Sequence, residues 1–413
     1  MIRQGKKNYF WDSIKNLIGT LVYYFCQWLM TIIIVHITDY TIFGEFSLVI
    51  AFTNLFGFLS LYNIRSLQLS DIDHGYSPQQ YSGAYLVTSG LALILFILAL
   101  PFSGYNFNLI LCCMVYMIYK LCETFSIYIY TYMQLENRFA NIAVSFSLKG
   151  IVPLIGFTIC LYFKQGLFLP LCVMTLLFLA IIVVYDFPNI LEYFPRNIKI
   201  KGIRHILRQC FPLMMSTLIV PFMFFLIRHT VEEVYGTTEL GYYSAFTMII
   251  VVMSVMTGAV YVVILPMIAE KYKNNQKRNI TFIIFIVFGI IFTATLIAIV
   301  LAHLIGDWVF SFIFDFTILP YMYLLVPVII SGSMLAIMTF LSTCLIAMNK
   351  RISMLFSMLA GVFFLCVFVL PITISYGLLG AINILTYSLI LTIIVQVFVI
   401  IYYLASKKNI MTI

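Results

Sequence analysis

The sequence predicts an all-α membrane protein of about twelve transmembrane helices, in two six-helix bundles related by a parallel pseudo-two-fold repeat. Three observations predict it. The 413 residues are 63% hydrophobic and only 9% charged, with a mean hydropathy of +1.08. A soluble domain is about 45–50% apolar and about 25% charged, because its exterior always has to be covered by polar groups. The apolar residues also gather into runs as long as a bilayer crossing, and the basic residues gather on alternate connections between those runs.

A crossing takes about 20 mostly apolar residues for about 30 Å of hydrocarbon. The first run, 14–37, follows Arg3, Lys6, Lys7 and Lys15. No small-residue cleavage pattern comes after it, so it reads as a retained span and not a signal peptide. Five more runs follow at 43–62, 81–100, 108–130, 140–163 and 167–185. The longest connection, 186–209, then divides the chain. Six further runs lie at 211–231, 241–265, 280–304, 319–348, 352–374 and 378–403. The expected organisation is a lobe over 1–190, a basic connector over 191–209 and a second lobe over 210–413. Within the connector Ile203, Ile206, Leu207 and Cys210 share one helical face while Lys199, Lys201, Arg204 and Arg208 lie elsewhere. That pattern predicts an interfacial helix on an anionic leaflet.

With the N-terminus placed in the cytoplasm, 19 of the 23 basic residues fall on cytoplasmic pieces. Lys164 alone is outer, among Asp39, Glu45, Glu232, Glu233, Glu239, Asp307 and Asp315. This bias predicts both termini inside and an even number of crossings. It also excludes nucleic acid as a partner, since the positive charge is dispersed over every inner loop and forms no single patch. The nine cysteines include no CxxC pair and read as free thiols packed as small hydrophobes. His36, His229 and His303 form no ligand cluster. No metal, cofactor or nucleotide site, and no nucleophile motif, is expected.

An internal repeat supports the two-lobe reading. Residues 38–47 and 236–244 both follow the first span of a lobe, and both place Gly, any residue, aromatic, Ser at the start of the next: Gly44-Glu45-Phe46-Ser47 and Gly241-Tyr242-Tyr243-Ser244. Asn137-Arg138 and Asn349-Lys350 both sit at the turn before the fifth span of a lobe. Parallel repeats of this kind build transporters with a substrate path between the halves.

These residues resemble the polysaccharide-transport branch of the multidrug/oligosaccharidyl-lipid/polysaccharide exporter superfamily, and most of all bacterial O-antigen flippases. The resemblance runs over nearly the whole chain. It includes Leu265-Pro266 at the close of the eighth span, and Ala347 to Arg351 followed by Tyr376-Gly377-Leu378-Leu379-Gly380-Ala381 in the last hairpin. It implies a V of two lobes in the bacterial inner membrane, a cavity opening to alternate sides, and export of undecaprenyl-pyrophosphate-linked O-antigen repeat units. A polysaccharide polymerase and a chain-length regulator are the partners it implies, beside membrane lipids. Drug-exporting relatives carry an acid within the first span. Here Asp12 and Asp39 lie only at its ends, which argues against a multidrug exporter. Short outer loops argue against the other alternative, a membrane-embedded polymerase or glycosyltransferase.

Ionisable groups inside spans cost about 2.5–3.5 kcal/mol each and usually face a cavity or a partner. Lys120 and Lys149 lie deep in the fourth and fifth spans and are expected to face the cavity and bind the pyrophosphate. Arg228, near the outer end of the seventh span beside His229, reads either as a substrate contact or as a snorkelling side chain. Arg65, at the inner end of the second, reads as a phosphate contact or as a positive-inside anchor. Glu123, three residues after Lys120, shares its helical face and is either an ion-coupling group or a neutralising partner. Gly150 and Pro153 in the fifth span, and Pro212 and Pro221 in the seventh, are hinge candidates, because proline removes a backbone donor and kinks helices.

Overall fold

The computed structural model describes residues 2–71, 75–163, 166–191, 194–195 and 197–405, without the side chains of 2–14, 259, 262 and 263. The charges expected from Arg3, Lys6, Lys7, Asp12, Lys164, Arg196, Lys407 and Lys408 lie outside the described residues. Every regular element among the described residues is a helix. The chain forms two compact units, Met1–Pro221 and Phe222–Ile413.

The first unit opens with α1 (Ile2–Ile37), α2 (Tyr40–Leu61), the short α3 (Ile64–Ser70) and α4 (Pro78–Ala99). It continues with α5 (Phe107–Leu135), α6 (Phe139–Phe163) and α7 (Phe168–Ile181), the last running through a π-helical turn, Ile182–Asp186, into α8 (Phe187–Ile190). Local chemistry sets the starts. Asp39 caps α2 by accepting from the Ile42 N–H at 2.8 Å, and Asn106 caps α5 through the Leu109 N–H at 2.8 Å. Ser77 and Gln80 form a capping box with Pro78 in the first turn of α4. Helices α1 and α6 pack with almost nothing between their backbones. A Cβ on Gly19 would strike the backbone of Ala143, and one on Gly150 would meet the Tyr23 Cα at 3.1 Å and the Cys26 side chain at 3.3 Å. Small residues permit such close approach where no hydrophobic effect drives helices together.

The second unit holds most of α9 (Ile203–Lys273), then α10 (Lys277–Phe314), a 3-10 stretch over Phe316–Leu324, α11 (Leu325–Ala347) and α12 (Arg351–Ala405). Among the described residues ten helices are long and apolar enough to cross a membrane, and two of these stretches run 56 and 55 residues. At 1.5 Å per residue each is about 80 Å long, far more than one crossing needs. Each is broken by a glycine in a conformation other residues avoid: Gly236 at φ 86°, ψ 175° and Gly377 at φ 65°, ψ −150°. Counting these breaks as turns gives twelve crossings, as the apolar runs predict.

The repeat has a structural counterpart. Five residues before the matched glycines stand Asp39 and Gly236, which share a ψ near 180°, 177° and 175°, but differ in φ, −152° and 86°. The matched aromatics Phe46 and Tyr243 are buried, as are Ser47 and Ser244. Asn137 and Asn349 are both left-handed, at φ 57° and 59°. At each, the asparagine N–H reaches back three residues, to Gln134 and Ile346. The following N–H, of Arg138 and Lys350, reaches back five, at 2.8 Å. This is the Schellman pattern that closes a helix.

One expectation needs correction. The apolar face of the connector helix does not lie free at an interface. Ile203, Ile206 and Cys210 pack into a cluster with Tyr62, Ile64, Tyr81, Tyr85, Tyr128 and Tyr132. Residues up to Pro221 accordingly sit with the first unit. α6 stays helical through Gly150 and Pro153, and α9 through Pro212 and Pro221, with its one non-helical residue at Gly236. Hydroxyls such as Ser216, donating to the Pro212 carbonyl at 2.8 Å, supply bonds inside a proline-containing membrane helix.

Candidate functional site

The first unit encloses a cavity of about 250 Å3. One face of α1 contributes Asn16, Thr20, Tyr23 and Tyr24, and α3 contributes Arg65. Helix α5 adds Glu123, Ser126 and Tyr130, α6 adds Phe146 and Lys149, and α7 adds Phe178. Phe146 lies against Tyr23 and Tyr130, with ring centres 5.5 and 4.7 Å apart, so aromatic rings form one side of the chamber.

Lys149 is on the wall, but its charge is spent. Its ammonium donates to Ser126 Oγ at 2.7 Å, to Tyr130 Oη at 3.0 Å and to the Asp186 carboxylate. An ammonium has three N–H donors, and all three are used. Asp186 also accepts from Ser145 Oγ at 2.5 Å. The rings of Tyr130 and Phe178 lie 4.9 and 5.2 Å from the ammonium. Lys149 is therefore not the free cation expected from its depth in the membrane. The reason is Asp186, which the apolar runs assign to the connector. Pro188 has no N–H to give to the helix, and the turn ahead of it widens to the π form, which carries Asp186 into the interior.

Lys120 is likewise paired. Its Nζ donates to Glu123 Oε2 at 2.5 Å, and its stem lies on Gly57, whose missing side chain leaves the room. Glu123 Oε1 accepts from Tyr23 Oη at 2.6 Å, Tyr23 Oη lies 3.0 Å from Tyr119 Oη, and Gln27 Nε2 donates to Tyr119 Oη at 2.9 Å. Glu123 thus links α1 to α5, and Lys120 lies behind it rather than on the cavity wall.

Arg65 differs from both lysines. Among the described residues it has no carboxylate partner, and its Nη2 donates to a neutral acceptor, Gln134 Oε1, at 3.0 Å. Among the described side chains around the chamber, Arg65, Lys120 and Lys149 stand against Glu123 and Asp186, and the guanidinium of Arg65 is the cation without a carboxylate. Asn16 Oδ1, also on the wall, is buried without a hydrogen-bond partner among the described residues. Arg228 belongs to the second unit and is not part of this chamber. Its Nε and the Tyr243 hydroxyl are buried without hydrogen-bond partners among the described residues.

Besides Asp186, the residues missed in the sequence are Asn16, Thr20, Tyr23 and Gln27. Their spacing of three to four residues places polar groups along one face of the first span, a signal that a search for acids passes over. Among the described residues no group of His, Cys, Asp and Glu could hold a metal, and all nine cysteines are free.

No protein-family model matches the chain. The capsular polysaccharide biosynthesis protein CapF of Staphylococcus aureus is 26% identical over 281 residues, 66% of this chain and 67% of that protein. A substituted form of the MATE transporter VcmN of Vibrio cholerae superposes with a TM-score of 0.66 at 15% identity, covering 98% of this chain and 97% of that one. An outward-facing multidrug resistance MATE family transporter of the MOP superfamily gives 0.67 at 14% identity, covering 96% and 95%. The chain therefore has the fold of the MATE transporters, and it is a multi-pass membrane protein.

Proposed function

We propose that this chain, built on a MATE-type fold, exports an anionic sugar lipid. Its cargo is an undecaprenyl-pyrophosphate-linked repeat unit of a surface polysaccharide of the O-antigen type, carried from the inner to the outer leaflet of the bacterial inner membrane by alternating access. The observation that carries this reading is the guanidinium of Arg65 on the chamber wall, which among the described residues has a neutral partner, Gln134, and no carboxylate. A pyrophosphate brings negative charge and many acceptor oxygens, and a planar guanidinium matches them better than an ammonium. The aromatic side of the chamber suits sugar rings, and the polyprenyl tail can stay in lipid. The relation to a capsular polysaccharide biosynthesis protein points the same way. A drug exporter would need a carboxylate free to hold a cation, and here Glu123 and Asp186 are each held by a lysine.

The test is complementation of a flippase-deficient strain, scoring surface polysaccharide together with the amount of protein in the membrane. Arg65→Gln should lose most of the export at unchanged abundance, and Arg65→Lys should keep part of it. Full export by Arg65→Gln would remove the reading.

A further inference from the structure

Residues 198–202 form a strap across the start of α4. The Lys199 N–H donates to the Gln79 carbonyl at 3.2 Å, and Gln80 Nε2 donates to the Lys201 carbonyl at 3.2 Å. The Lys199 carbonyl rests where a side chain on Gly83 would stand. Gly202, at φ 90°, turns the chain into α9. The backbone is thus fixed, but the side chains are not covered. Ile198 and Ile200 are 53% and 65% exposed, and Lys199 and Lys201 are exposed as well. The isoleucines and lysines alternate along this exposed stretch, and residues 201–202 turn the chain into α9. The helix that follows has the opposite character. Its apolar residues Ile203, Ile206 and Cys210 are consumed by the tyrosine cluster, while Arg204 and Arg208 remain exposed.

We infer that this strap, and not the apolar face of the helix after it, is a docking surface for an anionic bilayer surface. Ile198 and Ile200 enter the boundary between headgroups and acyl chains, and Lys199, Lys201, Arg204 and Arg208 meet lipid phosphates. Charge selects the occupant: four cations surround two isolated apolar side chains. Asp71, the carboxylate beside the start of α4, is already engaged by the Tyr81 hydroxyl at 2.7 Å and the Gly75 N–H at 2.9 Å. A single exposed isoleucine on a soluble surface needs no explanation, but a pair framed by lysines on a membrane protein matches interfacial anchors. Because α4 already pins the strap, little chain ordering is lost on docking. The inference does not depend on what the protein carries.

Amide hydrogen exchange of the full chain in nanodiscs tests it. Discs containing phosphatidylglycerol should slow exchange over residues 198–208 about tenfold relative to phosphatidylcholine alone, since each cation near an anionic leaflet contributes. The difference should vanish in 1 M salt, where screening acts within about 3 Å, and in a chain carrying Lys199→Gln, Lys201→Gln, Arg204→Gln and Arg208→Gln. Ile198→Ser with Ile200→Ser should shrink it. These six side chains are exposed, and unchanged exchange in α5 and α6 reports that the variants are folded. Equal exchange in the two discs, or a difference that survives the four glutamines, would overturn the inference. So would slowing by inorganic phosphate in phosphatidylcholine discs, which would make free phosphate the ligand.

Discussion

Lys149 and Asp186 form an ion pair that the surface does not reach: their side chains are 1% and 0% exposed. The partners stand 37 residues apart, one on α6 and one in the π-helical turn after α7. Every donor of the ammonium is used, and Asp186 holds Ser145 as well. This pair ties three helices together at the back of the chamber, and its chemistry is structural before it is anything else.

Breaking that pair should be costly and removing it should not. Losing one partner leaves an uncompensated buried charge, which costs about 3–5 kcal/mol. Lys149→Ala and Asp186→Ala should each lower the melting temperature of the purified protein and its abundance in the membrane. Lys149→Met combined with Asp186→Leu should recover much of both, because an apolar pair of similar volume needs no counter-ion. A double variant as unstable as the singles would show that the hydroxyl network around the pair matters more than its charges.

The two long helices should be sensitive at glycine and tolerant at proline. Gly236 and Gly377 have φ of 86° and 65° with extended ψ, a region almost closed to other residues, where strain costs about 1–3 kcal/mol. No side-chain clash adds to this, since a Cβ at Gly236 would meet nothing within 4 Å. Gly236→Ala and Gly377→Ala should each destabilise by that amount in thermal melts, whereas Pro212→Ala and Pro221→Ala should change little.

The repeat should be visible in matched substitutions. Asn137 and Asn349 close α5 and α11 in the left-handed conformation with the same pair of backbone bonds. Glycine adopts that conformation freely, while an L-residue with a branched Cβ loses roughly 1–2 kcal/mol. Asn→Gly should be close to neutral and Asn→Val destabilising, by similar amounts at both positions, when melting temperatures are compared.

The helices were legible in the sequence because bilayer thickness sets their length, and the repeat because glycine, aromatic and serine recur at fixed spacing. The Lys120–Glu123 pair was legible too, since three residues along a helix is one face. Asp186 was not. It stands at the edge of an apolar run, and only the turn ahead of Pro188 carries it inward, to a partner far away in sequence. The breaks at Gly236 and Gly377 fall in the gaps between the predicted runs, at 232–240 and 375–377, and were legible; the prolines were a weaker guide. Proline signals a lost hydrogen bond, but whether the chain bends there depends on what replaces that bond, and sequence does not say.

Glu123 can be assigned to one of its two readings by charge-neutral variants. It accepts from Lys120 and from Tyr23 at once, so it both neutralises a buried cation and couples α1 to α5. Glutamine keeps an acceptor for Tyr23 but no charge, which leaves Lys120 without a counter-ion. Glu123→Gln alone should therefore lower abundance as well as export. Adding Lys120→Met removes the stranded charge and should restore abundance. If Glu123 only neutralises Lys120, export returns with it. If a proton on Glu123 drives the cycle, export stays low in the double variant although the protein is present. We expect the first outcome, because both carboxylate oxygens are already engaged by Lys120 and Tyr23; it is measured as surface polysaccharide per amount of membrane protein. Export in the double variant equal to that of the native chain would reduce Glu123 to a counter-ion.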